Sequence, residues 1–136
     1  IEKPEYITAL DWSPDGALLA VGRSILPESA LVEIWDVTTL QLIQSFSFAE
    51  NSELIWSVAW SPDGTSLGSA SRDGTVRILN PVSGETNILH QDNDNLFAVA
   101  WHPDGDRLTY GDVDGVAVML QVSGTEEHTS PTYTTE

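Results

Sequence analysis

Three apolar stretches of the chain end in the same polar string, Trp-x-Pro-Asp-Gly. The strings begin at Trp12, Trp60 and Trp101, which lie 48 and 41 residues apart, and a leucine follows each tryptophan by seven residues. Proline fixes φ and glycine accepts a positive φ, so each string predicts a turn at the end of a strand. The spacing therefore predicts three consecutive structural repeats.

Each repeat is predicted to contain four short strands. First strands are expected at 6–12, 55–60 and 96–101, second strands at 17–22, 66–71 and 106–111, third strands at 31–36, 75–80 and 116–121, and fourth strands at 40–48 and 85–90. The Asp-Gly pairs at 73–74 and 114–115 are hairpin signals between second and third strands.

The first and third strands are apolar on both faces. In 55–60, strict alternation places Ile55, Ser57 and Ala59 on one side. Trp56, Val58 and Trp60 then lie on the other. A half-exposed antiparallel strand would alternate with polar residues, so this pattern favours small sheets stacked face to face.

We therefore predict an all-β fold, a partial β-propeller of three four-stranded antiparallel blades. Residues 1–124 form the blades, at 6–54, 55–95 and 96–124, and 125–136 form a polar tail or a weak outer strand of the third blade. The longer first repeat has four extra residues near 23–30 and three near 49–53. Both insertions are expected in loops on one side of the blade, where binding residues concentrate.

The charge balance narrows the range of partners. Twenty-one acidic residues face five basic ones, a net charge of −16, and cysteine is absent. Binding to a phosphate backbone needs clustered Lys and Arg, so no direct nucleic-acid partner is expected, and no apolar run is long enough for membrane insertion. The acidity is consistent with a solvated surface, with steering of basic partners, or with a salt-adapted host. Lack of cysteine is typical of a reducing compartment, such as the cytoplasm or nucleus, without requiring one.

The sequence resembles the WD-repeat family of β-propellers. The resemblance lies in the three Trp-x-Pro-Asp-Gly strings, in Ser-Arg-Asp-Gly-Thr-Val-Arg-Ile-Leu-Asn at 71–80, and in Val-Glu-Ile-Trp-Asp at 32–36. The Trp-Asp pair survives only once, and the family's Gly-His is missing near 50–51 and 91–92. In the family that His belongs to a buried hydrogen-bond network, so the resemblance implies only a partial network here.

Three blades cannot close a ring, because propellers have at least four. The two end blades should then expose apolar sheet faces. We expect association with further blades, which belong to a longer chain, to an identical chain or to another subunit.

Candidate catalytic and metal motifs have structural explanations. The G-x-S-x-G match at 64–68 runs from a turn into a strand, whereas a nucleophile elbow needs a following helix. The acidic runs at 92–95 and 112–115 lack a complete calcium loop, and His90, His102 and His128 form no ligand pair. We expect no enzyme activity, no cofactor and no metal. A propeller-hosted hydrolase or lyase is the alternative, and Asp11 is expected to pair with an arginine such as Arg23 or Arg72.

By resemblance, a protein or peptide would bind at the rim of the axial opening, and the acidic charge of the chain favours a basic one. The family uses residues near the start of the first strand and just before the turn Asp. The matching positions here are Thr8, Trp56, Phe97, Arg72 and Val113, and we add Leu54 and Asn95, which lie two residues before Trp56 and Phe97. Trp and Arg are enriched in binding hot spots, although Trp56 and Phe97 could also serve only to pack between blades. The resemblance implies a non-catalytic scaffold of a larger assembly, and the alternative is a structural piece that completes a propeller.

Overall fold

The computed structural model describes residues 5–25, 29–48, 54–91, 95–122 and 132–134, and these residues form twelve β-strands and no helix. Blade 1 consists of β1 (Glu5–Trp12), β2 (Leu18–Ile25), β3 (Ser29–Asp36) and β4 (Gln41–Ser47). Blade 2 consists of β5 (Ile55–Trp60), β6 (Leu67–Ser71), β7 (Thr75–Leu79) and β8 (Thr86–Gln91). Blade 3 consists of β9 (Leu96–Trp101), β10 (Arg107–Asp112), β11 (Val116–Gln121) and β12 (Thr132–Thr134).

Each blade is an antiparallel sheet whose strands follow one another in chain order. This arrangement confirms the all-β fold and the partial propeller of three four-stranded blades. The fourth strand of blade 3 lies within the polar C-terminal segment, where β12 pairs with β11 between Thr132 and Val118. Within the described residues, no helix is present that is long and apolar enough to cross a membrane.

The first insertion of blade 1 is not accommodated as a loop, so that prediction was wrong. Arg23 pairs with Leu31, Ser24 with Ala30, and Ile25 with Ser29, which extends the β2–β3 hairpin. The extra residues lengthen both strands because they continue to form ladder hydrogen bonds. The second insertion, at 49–53, lies outside the described residues.

Apolar side chains between the blades form the core. One cluster lies between blades 1 and 2 and includes Ile34 and Leu67, while another lies between blades 2 and 3 and includes Val76 and Leu108. Each of these four side chains is fully buried. The face-to-face stacking predicted from the doubly apolar strands is therefore present.

We call the first strand of each blade, β1, β5 or β9, its inner strand. Each inner strand contains a β-bulge near its start. In β5, Ile55 pairs with Ser71 and Ser57 with Ala70, so Trp56 is the extra residue. The predicted alternation was wrong on this point, because a bulge shifts the phase of the side chains by one residue. Ile55 therefore faces blade 1 together with Val58 and Trp60, rather than sharing a face with Ser57.

Candidate functional site

The three bulged residues are Thr8, Trp56 and Phe97. Each is skipped in the pairing of its inner strand with the neighbouring strand. A bulge re-aims a side chain out of the regular pleat, and bulges are frequent beside functional sites. The bulges therefore place three predicted site residues at equivalent positions, at the same end of successive inner strands.

These three side chains link neighbouring blades. The Thr8 hydroxyl donates hydrogen bonds to the carbonyl oxygens of Ile55 and of Gly22, the latter at 3.3 Å. The rings of Trp56 and Phe97 meet edge to face, with centroids 5.6 Å apart and planes at 70°. Aromatic pairs prefer this geometry, so the contact orients both rings.

The other four predicted residues pair with one another through backbone hydrogen bonds. The Arg72 N–H donates to the Leu54 carbonyl at 2.9 Å, and the Val113 N–H donates to the Asn95 carbonyl at 3.1 Å. Each bond ties the loop before an inner strand to the hairpin of the same blade. We call the seven predicted residues the bulge rim, namely Thr8, Leu54, Trp56, Arg72, Asn95, Phe97 and Val113.

An open pocket of about 450 Å³ lies in one part of this rim. Its lining consists of Tyr6, Ile7, Thr8, Leu54 and Trp56. Sequence reasoning did not select the first two. Repeat position could have found Tyr6, because it precedes its tryptophan by six residues, as do Leu54 and Asn95.

Trp56, which lines the pocket, also has an unpartnered polar atom. The indole Nε1 of Trp56 is buried and has no hydrogen-bond partner among the described residues. An unsatisfied buried donor costs about 1–3 kcal/mol. Elsewhere on the rim, Phe97 is 44% and Val113 48% exposed, so apolar surface faces solvent beside the pocket.

Most charged groups near the blades have structural partners. Asp11 accepts a hydrogen bond from the Trp60 N–H at 2.8 Å. Arg23 binds Glu5 and Glu33, so the predicted pairing of Asp11 with Arg23 was wrong. The Asp11 carboxylate, one residue before Trp12, therefore binds a backbone N–H group in the first strand of blade 2 instead of an arginine.

Asp73, in the β6–β7 hairpin of blade 2, lies beside a buried arginine. Asp73 accepts hydrogen bonds from Thr75 and lies 3.4 Å from the Arg77 guanidinium. Arg77 is buried and stacks over the Phe48 ring, 4.4 Å from its centroid. Asp73 is thus held by an arginine and a threonine from β7.

The catalytic and metal motifs occupy structural positions. In the G-x-S-x-G match, Gly64 has φ 74° in a turn, and the Ser66 N–H donates to the Ser61 hydroxyl as the chain enters β6. In the acidic run at 112–115, Asp112 accepts hydrogen bonds from the N–H groups of Asp114 and Val116, each at 2.9 Å. The described residues contain no group of three His, Asp or Glu side chains suited to a metal ion.

The two histidines within the described residues, His90 and His102, lie in different environments. His90 stacks on Tyr110 and lies 3.0 Å from its hydroxyl, whereas His102 takes the serine position of the repeated turn and contacts Asp104. His128 and the acidic run at 92–94 lie outside the described residues.

A family model for the WD domain, G-beta repeat, matches residues 2–36 and 40–80. Among curated proteins, the chain is 29% identical over 99 residues to WD repeat-containing protein VIP3 of Arabidopsis thaliana, covering 65% of this chain and 29% of that protein. It is 36% identical over 77 residues to WD repeat-containing protein WRAP73 of Mus musculus, covering 57% and 16%. The chain thus spans less than a third of either relative.

Solved structures show the same architecture. A chain in the crystal structure of the mitotic checkpoint complex aligns with a TM-score of 0.76 at 22% identity, over 93% of this chain and 38% of that chain. The β-propeller domain of Cps50 (Swd1) from Myceliophteria thermophila aligns with a TM-score of 0.72 at 19% identity, over 93% and 36%. These similarities concern the fold.

Proposed function

The chain belongs to the WD40-repeat family of β-propellers, and from this premise we propose that it is a non-catalytic interaction module that binds a protein or peptide across the bulge rim. WD-repeat propellers generally serve as protein-interaction scaffolds. The observation that carries the proposal is the set of three equivalent bulges, which direct Thr8, Trp56 and Phe97 to one end of the inner strands.

The pocket beside Trp56 would hold an apolar side chain of the partner. Its lining is largely apolar, and its volume of about 450 Å³ lies within the usual range of ligand pockets. Binding that turns the indole would bring the buried Trp56 Nε1 to a carbonyl oxygen of the same segment, which removes the cost of an unsatisfied donor. An extended peptide offers both groups in close succession.

We propose a basic partner. The net charge of −16 produces a negative potential that raises the rate of encounter with cations. Arg72, an exposed residue of the rim, would donate hydrogen bonds to carbonyl oxygens of the bound backbone. The hot-spot residue types Trp and Arg then flank the same segment.

The test is a titration of a fluorescein-labelled peptide of alternating lysine and alanine with one central phenylalanine, followed by fluorescence polarisation. Binding should weaken several-fold when NaCl is raised from about 0.05 to about 0.3 M. Trp56→Ala should weaken binding about 30-fold, and Arg72→Ala about tenfold. Val82→Ala, at a 92% exposed position in the β7–β8 turn that is not part of the rim, should have no effect on binding.

Trp56→Phe separates binding from folding. Phenylalanine keeps a ring that can pack on Phe97 but removes the Nε1 donor, so affinity should fall. The unfolding temperature should stay close to that of the wild type, because the loss of an unsatisfied buried donor offsets the loss of packing by the larger ring. Unchanged affinity in both Trp56 variants would mean that the rim is not the binding face. A wild-type protein that does not bind the peptide would overturn the basic-partner proposal.

A further inference from the structure

The β6–β7 hairpin of blade 2 holds two residues of the bulge rim. The Leu54 carbonyl accepts a hydrogen bond from the Arg72 N–H at 2.9 Å and another from the Ser71 hydroxyl at 3.1 Å. Ser71 is buried, and its Oγ also accepts from the Asp73 N–H at 3.3 Å. The places of Leu54 and Arg72 on the rim thus depend on the shape of the hairpin.

The side chain of Asp73 stabilises that shape. Its Oδ1 accepts hydrogen bonds from the Thr75 hydroxyl and from the Thr75 N–H, the latter at 2.9 Å. Its Oδ2 lies 3.4 Å from the Arg77 guanidinium, and the side chain is only 7% exposed. A carboxylate removed from water to this extent is costly unless a cation compensates its charge. The guanidinium of Arg77 therefore stabilises Asp73 in this position.

Arg77 contacts blade 1 at the same time as Asp73. It pairs with Ser69 across β6 and β7, and its guanidinium stacks over the ring of Phe48, at the end of blade 1, 4.4 Å from the ring centroid. A planar guanidinium can stack on an aromatic ring and bind a carboxylate together, whereas a lysine ammonium has no planar fork. The guanidinium is thus placed by contacts to two blades.

Packing alone does not explain an arginine here. Arg77 is buried, and its Nη1 has no hydrogen-bond partner among the described residues. A buried donor without a partner destabilises a fold, and well-packed apolar residues often replace buried charges without loss of stability. Val118, at the equivalent position of blade 3, is such an apolar residue. A role beyond packing therefore favours arginine at position 77.

Blade 3 closes its hairpin without an arginine at this position. Asp112, at the repeat position of Ser71, accepts hydrogen bonds from two N–H groups of the turn, each at 2.9 Å. The rim bond of that blade joins the Val113 N–H to the Asn95 carbonyl at 3.1 Å. One molecule thus contains the same rim bond with and without a buried arginine in its hairpin.

We propose that Arg77 is a positioning residue of the bulge rim. It holds the Asp73 carboxylate inside the hairpin, and the hairpin then presents Arg72 and Leu54 to a partner. Without this arginine the carboxylate would lose a buried counter-charge and turn toward water, which opens the hairpin and breaks the bond from Arg72 to Leu54. The presentation to a partner rests on the function proposed above, whereas the positioning itself is a property of the free chain.

Amide hydrogen exchange, followed by NMR on the isotopically labelled chain, tests the positioning without a ligand. Arg77→Met keeps a long side chain but no charge, and it should accelerate exchange of the Arg72 amide about tenfold through opening of the hairpin. The Val113 amide, which makes the same bond in blade 3, should exchange as in the wild type. Val118→Met, at the equivalent position of blade 3, is the matched control and should leave exchange of the Arg72 amide unchanged.

A second substitution separates the charge from the packing. Asp73→Asn retains an oxygen that accepts from Thr75 but leaves no charge to compensate. The double variant Arg77→Met/Asp73→Asn should therefore return exchange of the Arg72 amide to within about threefold of the wild type, although it lacks the guanidinium. Arg77→Lys, which keeps the charge but not the planar fork, should accelerate exchange less than Arg77→Met, and it serves as the single variant if Arg77→Met does not fold.

The fluorescein-labelled peptide described above measures the consequence for binding. Its affinity should fall about tenfold in Arg77→Met and recover in the double variant. Four results would each overturn the positioning role: unchanged exchange of the Arg72 amide, equal acceleration of the Val113 amide, no recovery in the double variant, or faster exchange with unchanged affinity. If the wild type does not bind the peptide, the proposed function fails, and the exchange measurements still decide whether Arg77 holds the hairpin.

Discussion

A single aspartate organises each turn between first and second strands, and its surroundings differ among blades. In blade 1, Asp15 accepts from the Ser13 hydroxyl at 2.7 Å, and the hydrogen bonds at this turn lower its pKa, that from the Ala17 backbone most strongly. In blade 3, histidine replaces the serine. There the Asp106 N–H and, after it, the Arg107 guanidinium hold the pKa of Asp104 at about 2.

Asp104→Asn should reduce the loss of folding stability that occurs as the pH is lowered. The folded pKa of Asp104 is about 2 against an ordinary 3.8, so its ionised form stabilises the fold. That contribution is complete above pH 4 and is lost as the pH falls through about 2. The melting temperature measured between pH 4.5 and 2 should therefore fall less in Asp104→Asn than in the wild type.

Glu85→Gln, which replaces an exposed carboxylate in the β7–β8 turn, is the matched control and should keep the wild-type slope. Equal slopes in all three proteins would show that the Asp104 contacts do not stabilise the turn.

The strands could be predicted because turn residues mark their ends. Ile55–Trp60 and Leu96–Trp101 coincide with the predicted strands, since a Trp-x-Pro-Asp-Gly string terminates each of them. The bulges could not be found by assuming strict alternation. Their signal is an odd spacing: Ile55 and Val58 are three residues apart and both buried, which one face of a regular strand does not allow.

The candidate site was predictable only by repeat position. The family resemblance supplied the seven rim residues, but the meeting of Trp56 with Phe97 depends on bulges and on the packing of two blades. Tyr6 was omitted although it occupies the same repeat position as Leu54. The hairpin extension of blade 1 was also missed, because sequence spacing counts inserted residues without showing whether they continue to pair.

Gly68→Ala should destabilise the contact between blades 2 and 3. The added Cβ would come within 2.6 Å of Leu108 and 3.2 Å of the Trp101 indole nitrogen, so β9 and β10 would have to shift. Overpacking of this kind costs about 1–3 kcal/mol of unfolding free energy. Urea unfolding, monitored by circular dichroism at protein concentrations that keep the chain monomeric, measures it.

Gly111→Ala is the matched control, because a Cβ there lies 4.0 Å from its nearest neighbour. It should be neutral or should stabilise by up to about 1 kcal/mol through the loss of unfolded-state entropy. A destabilisation equal to that of Gly68→Ala would mean that the close contact at Gly68 does not limit the packing of the blades.

At the scale of the whole molecule, blade 2 packs against blade 1 on one side and against blade 3 on the other. The residues of blade 2 that face blade 1, among them Ile55 and Trp60, are buried, whereas Trp12 at the same repeat position in blade 1 is 57% exposed. The chain spans 29% and 16% of the two curated relatives described above, and 38% and 36% of the two solved structures. Three blades with a strong negative charge are held together by apolar stacking between them, against electrostatic repulsion.

Salt should therefore stabilise the folded chain. With a net charge of −16, like charges are closer in the folded chain than in the unfolded one, and NaCl screens their repulsion. Between about 0.05 and about 0.5 M NaCl the melting temperature at pH 7 should rise by about 4 °C, equivalent to about 1 kcal/mol. Replacing the exposed acids Glu85, Asp106 and Asp114 by their amides changes the charge by three, from −16 to −13, and should reduce that rise. A melting temperature independent of salt, or an equal rise in the variant, would show that self-repulsion does not limit the stability of this fold.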